Sequence, residues 1–440
     1  MNRENLHKIR IAIISEYPRY FTQNKLFAQS LLDSGYTVDV YFEQNAFTAH
    51  PVNFEQNEKI KFILFKVTNT FYLLSKFRFV LAIFLKQIPV QSSIRKITFN
   101  DEHFKGLTGK IIVFLTKIIT KNRNIANLVK FFLDNFVLKR HAISKNNFKN
   151  YEKIFYFTST SATTTFVFAE RVLHKMFKNN LYFITEGWDN SSSKLVFFNK
   201  KNSVLTMSEQ TKRHLIRFSG LDESNVHVIG NSRYDDLDRT FANNLSNITN
   251  ITCKVAFLES NTIGFDNFLV FNLLSLWLLK QNNLSSKFEC RIHPFSFQSE
   301  ENICSMRDTY ENVVFSGKPR MQNYFDLDRK SIDTISECEF IVCGLSTVFL
   351  ECVILRKPVI LLIPGYHDGY QYHGLHSAFS ELINFLEVEG CLFVANYYTL
   401  QKQLNYMNNN LTGITNKLRK LDINYFYNFT DYVSNLKKYV

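Results

Sequence analysis

The apolar positions of the chain fall in short runs that alternate with helical patterns, beginning with KIRIAIIS at residues 8–15. Apolar residues at helical spacing follow over 21–36, and a second β-rich run occupies 37–44. This order of strand, helix and strand predicts a parallel Rossmann-like unit. The turn after the first strand reads SEYPRYF and lacks the glycine-rich fingerprint of dinucleotide sites, so no NAD, FAD or other cofactor is expected.

The same alternation resumes after residue 150 and predicts two sets of strands. The first set is predicted at 153–160, 181–187, 203–208 and 226–232, with helices at 161–178 and 209–219. After an Asn-rich linker at 239–252, the second set is predicted at 253–260, 287–294, 312–319, 338–344 and 358–364, with helices at 265–283, 346–356, 373–388 and 398–410. The fold class is therefore α/β, with two Rossmann-like, doubly wound parallel-sheet domains facing a central cleft.

The predicted domains are 1–240, with a basic helical insertion at 59–150, and 253–420. A C-terminal tail at 421–440 is expected to pack back on the N-terminal domain. A length of 440 residues exceeds one ordinary core, and 45% hydrophobic residues exclude general disorder. The seven cysteines include no CxxC pair and several lie in apolar runs, which indicates buried free thiols of a cytoplasmic protein.

The net charge of +13 is concentrated in one segment. Residues 59–150 contain 18 Lys and Arg against three acids, and the rest of the chain is close to neutral. Large apolar residues recur at helical spacing between these bases, a pattern typical of amphipathic helices on an anionic membrane surface. The alternative is a helical insertion whose lysines only face water. The segment has no known nucleic-acid motif, so no nucleic-acid partner is expected.

Two further observations concern the membrane. The most apolar window, 70–90, is interrupted by Lys76, Arg78 and Lys86, which argues against a spanning helix. The N-terminal residues run directly into a strand and show no secretory signal. We therefore expect a cytoplasmic protein, peripheral on the inner membrane.

Polar clusters follow five predicted strands, where parallel sheets place their ligand sites. In TEGWDNSSSK, Glu186 and Asp189 together end an apolar strand, and such a carboxylate can act as a general base on a hydroxyl nucleophile. Trp188 can stack on a sugar or base, or can plug the domain edge. Lys194 can offset phosphate charge. Asn190, and Ser208 of the next cluster (SEQTK), are expected to contribute to substrate binding.

Three clusters follow later strands. In GNSRYD, Arg233 can reach a ligand, or the segment is only a turn whose Asp235 pairs with a base. In RIHP, Arg291 and His293 are two residues apart on a strand, so they point to one side and can grip a phosphate. A lone histidine is more often a core residue, but a buried arginine needs an anionic partner.

The last cluster, GLSTVFLE, contains four candidate binding residues. Gly344 ends a strand, and Ser346 and Thr347 start a helix, where one of them can be a simple cap or the amide groups can bind a diphosphate. Glu351 lies one turn on and can hold sugar hydroxyls. No HExxH, Walker A, GxSxG or DxD-like motif is present, so a metal-independent mechanism is expected.

These clusters resemble bacterial GT-B glycosyltransferases of surface-polysaccharide synthesis, over about residues 180–400. The matching residues are Trp188, Asp189, Asn190 and Lys194; Gly230, Arg233, Tyr234 and Asp235; Arg291, His293 and Pro294; and Ser346, Thr347, Glu351, Lys357, Pro358 and Val359. The pattern is also similar to that of capsule polymerases, sialyltransferases, CDP-glycerol glycerophosphotransferases and UDP-GlcNAc 2-epimerases. Lys357 stands where the family commonly has arginine, and LST replaces the commoner NTS or SS.

The resemblance implies a nucleotide-sugar donor bound by His293, Ser346, Thr347 and Glu351, and a glycan or lipid-linked acceptor on the N-terminal side. The expected activity is hexosyl or sialyl transfer in capsule or lipopolysaccharide synthesis. A polyol-phosphate transferase, a sugar-nucleotide 2-epimerase and an inactive scaffold of a glycan assembly complex are the alternatives.

Overall fold

The computed structural model divides the chain into two compact units. Unit 1 comprises Met1–Ser232, His376–Ala378 and Tyr425–Val440, and unit 2 comprises Arg233–Leu375 and Phe379–Asn424. The structure describes residues 9–15, 21, 24–44, 60–66, 68–85, 106–137, 148–158, 163–193, 195–234, 253–260, 265–281, 287–292, 313–316, 331–365, 377–427 and 431–440. The predicted linker at 239–252 lies outside these residues.

Unit 1 is built on a seven-stranded parallel sheet. Its strands are β1 (Arg10–Ser15), β2 (Thr37–Glu43), β3 (Ile60–Phe65), β4 (Lys153–Thr158), β5 (Leu181–Thr185), β6 (Ser203–Thr206) and β7 (Val226–Val228). Their order is β3-β2-β1-β4-β5-β6-β7, so the direction of winding reverses between β1 and β4. The central strands are buried on both faces, because helices cover both sides, and for this reason they read as nearly continuous apolar runs.

The helices of unit 1 pack on both faces of this sheet. They are α1 (Lys25–Asp33), α2 (Asn69–Phe84), α3 (Leu107–Ile119), α4 (Arg123–Phe132), α5 (Thr164–Phe168), α6 (His174–Phe177), α7 (Asn190–Ser193) and α8 (Glu209–His214). Short π turns follow α4, α5 and α8. Ile11 and Ile13 of β1 belong to one core cluster, and Ala12 and Ile14 to the cluster on the opposite face.

Unit 2 repeats the architecture with six parallel strands. They are β8 (Cys253–Leu258), β9 (Phe288–Arg291), β10 (Val313–Ser316), β11 (Cys338–Cys343), β12 (Val359–Leu362) and β13 (Phe393–Ala395), in the order β10-β9-β8-β11-β12-β13. The helices are α9 (Asn267–Lys280), α10 (Ser331–Glu337), α11 (Thr347–Ile354), α12 (Ser377–Val388), whose first two residues belong to unit 1, and α13 (Leu400–Lys420). The winding reverses between β8 and β11.

The last helix of the chain, α14 (Tyr432–Lys437), belongs to unit 1. Asp431 starts it by accepting a hydrogen bond from the amide of Ser434 at 3.0 Å. Tyr432 and Leu436 are buried in the same core cluster as Ile11, and Lys153 donates to the carbonyl of Tyr439 at 2.7 Å. Residues 431–440 therefore complete one face of the first sheet.

The segment 59–150 differs in part from the prediction. Residues 60–65 form β3 at the edge of the sheet, so the prediction of a purely helical insertion was wrong for them. The described remainder is mainly helical, in α2, α3 and α4, and no described helix is long and apolar enough to cross a membrane. Strand β13 was not predicted, and α13 extends ten residues beyond its predicted end.

A buried ion network connects α2 to the π turns that follow α4 and α5. The guanidinium of Arg78 is wholly buried, binds Asp134 and lies 3.7 Å from Glu170, while Arg171 contacts both carboxylates. Glu170 also accepts hydrogen bonds from the amides of Phe198 and Asn199. A buried charge needs such partners, since unpaired burial is very costly.

Candidate functional site

In unit 1, Glu186 lies at the carboxyl edge of the sheet beside the point where the winding reverses. It follows β5 directly, and its amide donates to the carbonyl of Thr158, the last residue of β4, at 2.7 Å. Its side chain is nearly buried, with the residue 3% exposed. Ligands of open parallel sheets bind at this edge, so Glu186 is placed where a reacting group is expected.

Asn24, which the sequence did not single out, holds this carboxylate. Its side-chain amide donates to Oε1 of Glu186 at 2.9 Å. Its Oδ1 in turn accepts from the hydroxyls of Tyr432 and Ser232. Asn24 is the N-cap residue of α1, yet its side chain makes no capping bond. An asparagine before the first helix was the available sequence signal, but it is more usually a cap.

Trp188 lies in the interior of unit 1. Gly187, with φ of 85°, turns the chain after Glu186, and the indole of Trp188 is wholly buried. The indole N–H donates to Oε1 of Gln210 at 2.6 Å, and Gln210 donates from its side chain to the carbonyl of Ala378. Of the two roles considered for Trp188, this geometry supports packing inside unit 1 and not stacking on a ligand.

The remaining residues of this cluster lie on the short helix that follows. Asp189 is half-buried, and its carbonyl accepts hydrogen bonds from the amide and hydroxyl of Ser192. Asn190 begins α7, but its side chain and all of Lys194 lie outside the described residues. The hydroxyl of Ser191 is buried without a hydrogen-bond partner among the described residues. Asp189 is therefore the more accessible of the two candidate bases.

Ser208 caps a helix. Its hydroxyl accepts from the amide of Thr211 at 3.2 Å, and the hydroxyl of Thr211 accepts from the amide of Ser208. This reciprocal arrangement is a capping box, and it gives Ser208 a sufficient structural role at the start of α8.

In unit 2, Gly344 follows β11 at the point where the second sheet reverses its winding. A Cβ atom at this position would lie 2.8 Å from Cβ and Oγ of Ser260, which follows β8, and 2.9 Å from the ring of Phe265. The ends of β11 and β8 therefore approach so closely that only glycine fits. Ser260, missed by the sequence analysis, belongs to this edge because parallel strand ends meet there.

The N-terminus of α11 follows directly. Ser346 is its N-cap residue but its side chain makes no capping hydrogen bond, and Thr347 is the first helical residue. Both side chains are half-buried. First-turn amide groups without a side-chain cap, at the positive end of the helix dipole, suit an anionic group such as a phosphate.

Glu351 lies one turn further along α11 and is 1% exposed. One carboxylate oxygen accepts from the guanidinium of Arg233, and the other accepts from the hydroxyl of Ser331 at 2.9 Å. The structure thus brings two of the predicted binding residues, Arg233 and Glu351, into direct contact. A carboxylate has about four lone-pair sites, so two acceptor positions are left for a ligand's hydroxyl groups.

Arg291 ends β9 and is buried. Its carbonyl accepts from the amide of Glu259, which follows β8, at 3.0 Å. Register places Arg291 beside Leu258 on one side and Ser316 on the other. Arg291 thus belongs to the same edge of the sheet as Gly344, while its predicted partner His293 lies outside the described residues.

Lys357 of the family motif is a structural residue. Its ammonium donates to the carbonyls of Ser336 and Cys338 at 2.8 and 2.7 Å. Burial lowers the pKa of Lys357. The ammonium thus ties the end of α10 to the start of β11, which supports the strand that leads to Gly344.

One group of potential metal ligands occurs among the described residues: Cys253, Glu289 and Cys338, with their ligand atoms within 4.8 Å of one another. A hydrogen bond between the side chains of Cys338 and Cys253, together with burial, raises the pKa of Cys338. The thiol is therefore favoured over the thiolate that binds metals. Glu289 accepts from the hydroxyls of Ser316 and Thr334. The cluster fits a polar packing contact better than a metal centre.

No family model matches the sequence, and no curated protein sequence matches it. Similar solved structures include UDP-GlcNAc 2-epimerase from Neisseria meningitidis bound to UDP-GlcNAc, at 11% identity over 98% of this chain and 99% of that chain, with a TM-score of 0.50. Others are a glycosyltransferase from Rickettsia africae (12% identity, 98% of each chain, TM-score 0.44) and the wall teichoic acid polymerase TagF (12%, 98% and 87%, TM-score 0.45).

At such low identity the likeness shows the fold alone, and of these three structures the first has a TM-score of 0.50. The two parallel sheets, of seven and six strands, agree with it. The predicted fold class is confirmed: the chain has a GT-B-like fold of two Rossmann-like α/β domains.

Proposed function

We propose that this protein is a glycosyltransferase that moves a sugar from a nucleotide-sugar donor to a surface-polysaccharide or lipid-linked acceptor without a metal ion. The reaction would be of the hexosyl or sialyl type, as in capsule or lipopolysaccharide synthesis. The protein would act in the cytoplasm, with segment 59–150 on the anionic surface of the inner membrane.

The observation that carries the proposal is the arrangement at the carboxyl edge of unit 2. Gly344 removes side-chain bulk where β11 ends, the uncapped N-terminus of α11 follows, and the buried carboxylate of Glu351 is held one turn on. A nucleotide sugar has a phosphate or diphosphate group beside several hydroxyls. Helix amide groups suit the phosphates, and an oriented carboxylate suits the hydroxyls.

In this proposal the donor phosphates are bound by the start of α11, with Ser346 and Thr347, and by Arg291 and His293. Glu351 accepts hydrogen bonds from sugar or ribose hydroxyls. Arg233 and Ser331 keep the carboxylate of Glu351 in place, so its orientation is set before the donor binds.

The acceptor hydroxyl must lose its proton, and Glu186 and Asp189 are the candidate bases. The hydrogen bond from Asn24 orients Glu186 at the edge of the sheet, which favours Glu186. Asp189, which is more accessible, is the alternative. The base receives the acceptor proton as the oxygen attacks the anomeric carbon, and the nucleotide leaves with the electrons of the broken bond.

Two experiments test the proposal in sequence. A thermal-shift screen with UDP-, GDP-, CDP- and CMP-sugars identifies the donor class, since a ligand at 100 times its dissociation constant stabilises the folded state by about 2.7 kcal/mol. Turnover is then measured for Glu186→Gln and Asp189→Asn. Loss of turnover in one variant, with the donor's thermal shift kept, supports a base at that position. Unchanged turnover in both variants contradicts the mechanism.

A sugar-nucleotide 2-epimerase and a polyol-phosphate transferase are the alternatives, because each would also bind a nucleotide-activated ligand. The uncapped start of α11 and the oriented carboxylate of Glu351 suit the phosphates and hydroxyls of these ligands equally well. Product analysis separates the reactions, because an epimerase converts its nucleotide sugar without an acceptor. A chain that binds the donor but turns over nothing, with or without acceptors, would instead be a scaffold.

A further inference from the structure

Helices α3 and α4 present apolar side chains away from the body of unit 1. Nine of the large hydrophobic residues that are exposed in the described structure lie between residues 107 and 132. On α3 they include Ile111, Phe114 and Ile118, which share one face at helical spacing, and on α4 they include Ile125, Leu128 and Phe132. Phe114 is 61% exposed and Leu128 57%. Monomeric soluble proteins rarely expose an apolar face of this kind without a partner.

The opposite faces of both helices are covered by α2. Gly109, Ile112 and Thr116 are buried on α3, and Ala126 is buried on α4. Ala126 belongs to a cluster with Leu81 of α2, and Ile119 and Val129 pack against it. Because both inner faces meet α2, both apolar outer faces point away from it. We name Leu107–Phe132 the helical hairpin.

The charge of the hairpin has one sign. Residues 106–132 contain five bases and no acid: Lys110, Lys117, Lys121, Arg123 and Lys130. On α3, Lys110 and Lys117 flank the apolar face on the same side, and Lys121 and Arg123 lie at the turn between the helices. Lysine side chains beside an apolar face can extend their ammonium groups to phosphate headgroups while their methylene stems stay on the apolar surface.

We propose that the helical hairpin is a monotopic anchor that inserts its apolar face into the interface of an anionic bilayer. Helices of 13 and 10 residues extend about 20 and 15 Å, at about 1.5 Å per residue, so they lie in the interface of a bilayer core about 30 Å thick rather than cross it. The exposed Lys110, Lys117, Lys121 and Arg123 neutralise anionic headgroups, and the six apolar side chains enter the acyl boundary.

The single sign of charge argues against a second copy as the occupant. A symmetric pair of hairpins would bring like charges together and would gain nothing from the five bases. An anionic lipid surface satisfies both the apolar face and the bases. Vesicle binding is measured without donor or acceptor, so its failure would leave the proposed sugar transfer untouched. The membrane contact, which the proposed function assigns to segment 59–150, is here assigned to the two helices of the hairpin.

The test is flotation of the full-length protein with vesicles of phosphatidylcholine alone or with 30% phosphatidylglycerol, taken as roughly the anionic content of a bacterial membrane. We expect strong binding to the anionic vesicles only, weakened by raising salt from 50 to 500 mM, on the order of the range over which surface charges become screened. The triple variant Phe114→Ser, Ile118→Ser, Leu128→Ser should lose this binding. Its matched control, Phe268→Ser, Leu276→Ser, Leu279→Ser, removes three exposed apolar side chains of α9 and should bind as the wild type does.

A second variant separates charge from apolar insertion. Lys110→Gln, Lys117→Gln, Lys121→Gln should weaken binding on the order of 100-fold, because each base near an anionic surface contributes about fivefold. Its matched control replaces the exposed Lys280, Lys402 and Lys420 by Gln. Thermal unfolding midpoints equal to that of the wild type show that each variant is folded.

Insertion itself is tested with Phe114→Trp and brominated lipids, because both native tryptophans, Trp188 and Trp277, are buried. Quenching of the added fluorescence by bromines near the headgroup region supports insertion. Three results would overturn the proposal: equal binding to neutral and anionic vesicles, full binding by the hairpin triple variant, or a dimer that becomes monomeric in that variant without any vesicle binding.

Discussion

Glu186 and Glu351 differ from the surface carboxylates of the chain in both burial and orientation. Each is nearly buried at the carboxyl edge of its sheet, and each is held by side chains from distant parts of the sequence. A carboxylate that is both buried and oriented is pre-set to accept a hydrogen bond or a proton. The cost of burial is offset by Asn24 in one unit and by Arg233 and Ser331 in the other.

Replacement of Gly344 by alanine should destabilise the protein by about 1–3 kcal/mol, the usual cost of overpacking. The added Cβ would be 2.8 Å from Cβ of Ser260, and backbone at the end of β11 would have to move. Donor binding should weaken in the same variant, since α11 starts three residues later. Urea denaturation and the thermal shift with the donor measure the two effects.

The matched control is Gly413→Ala, in the middle of α13, where a Cβ meets no atom within 4 Å. It should stabilise the protein by about 0.5–1 kcal/mol, because alanine favours the helix. Equal stability of Gly344→Ala and the wild type would contradict the close approach of β11 and β8.

Tyr432→Phe tests whether α14 acts on Glu186 through Asn24. The change removes a hydroxyl that donates to Oδ1 of Asn24. Loss of one such bond costs about 1 kcal/mol. If Glu186 is the base, kcat should fall while the KM of the donor stays constant. The exposed Tyr406, changed to Phe, should leave both constants unaltered; a purely structural role of Tyr432 would lower stability without this kcat effect.

At the scale of elements, a buried charge on α2 connects the end of the hairpin to the helix that follows β4. Arg78 contacts two acids that come from the π turns after α4 and α5, so three segments meet at one guanidinium. Its guanidinium carbon also lies over the ring of Phe198, 4.2 Å from the ring centroid. The position of the hairpin thus depends on one buried arginine of α2.

Arg78→Met should therefore cost about 3–5 kcal/mol, because it removes the guanidinium that pairs with the buried carboxylates of Asp134 and Glu170. The urea midpoint of the full chain measures this loss. Lys212→Gln is the control, since Lys212 pairs with the exposed Glu223 at 3.6 Å and a surface pair contributes about 0–1 kcal/mol. Similar midpoints for the two variants would show that the network has little net effect.

The sequence predicts every central strand and the edge strands β7 and β10, but it misses the edge strands β3 and β13. Central strands are covered on both faces and read as apolar runs, as in β1 and β11. Strand β3 lies at an edge, exposes Lys61 and Leu64, and is preceded by Lys59, so its composition matched the basic segment around it. Strand β13 has only three residues, which is too short to give a periodic signal.

The candidate site shows the same division. Polar residues after buried strands indicated Glu186 and Glu351, because that position is fixed by topology. Asn24 and Tyr432 are separated by 408 positions, and nothing in their local sequence predicts their contact. Ser208 and Lys357 matched a functional pattern, but each bonds to nearby backbone: Ser208 accepts from the amide of Thr211, and Lys357 donates to the carbonyl of Cys338. Only the folded structure reveals these bonds.

At the scale of the whole molecule, the free energy of unfolding should decrease as the pH falls below about 6.5. Burial lowers the pKa of His174 and of His227 below the ordinary value of about 6.5. As the pH falls through 6.5, the unfolded chain takes up protons before the folded chain does. The free energy of unfolding therefore decreases below about pH 6.5, until the folded pKa values are passed.

The double variant His174→Gln, His227→Gln should show a shallower decrease in thermal unfolding midpoint between pH 7 and 5, a range set by the ordinary histidine pKa of about 6.5. Glu170, Arg171 and Lys175 surround His174, and Lys212 is near His227, so those residues are left unchanged. A slope equal to that of the wild type would show that other groups cause the acid sensitivity.

The return of α14 to unit 1 has a consequence for biosynthesis. Tyr432 and Leu436 fill a core whose strands were synthesised first, and Tyr432 bonds to Asn24. Domains generally fold as they leave the ribosome, N-terminal part first. This core of unit 1 is completed later, because all of unit 2 is translated before residues 431–440 emerge. A chain that stops short of these residues lacks the Tyr432 hydroxyl that bonds to Asn24, the residue that holds Glu186.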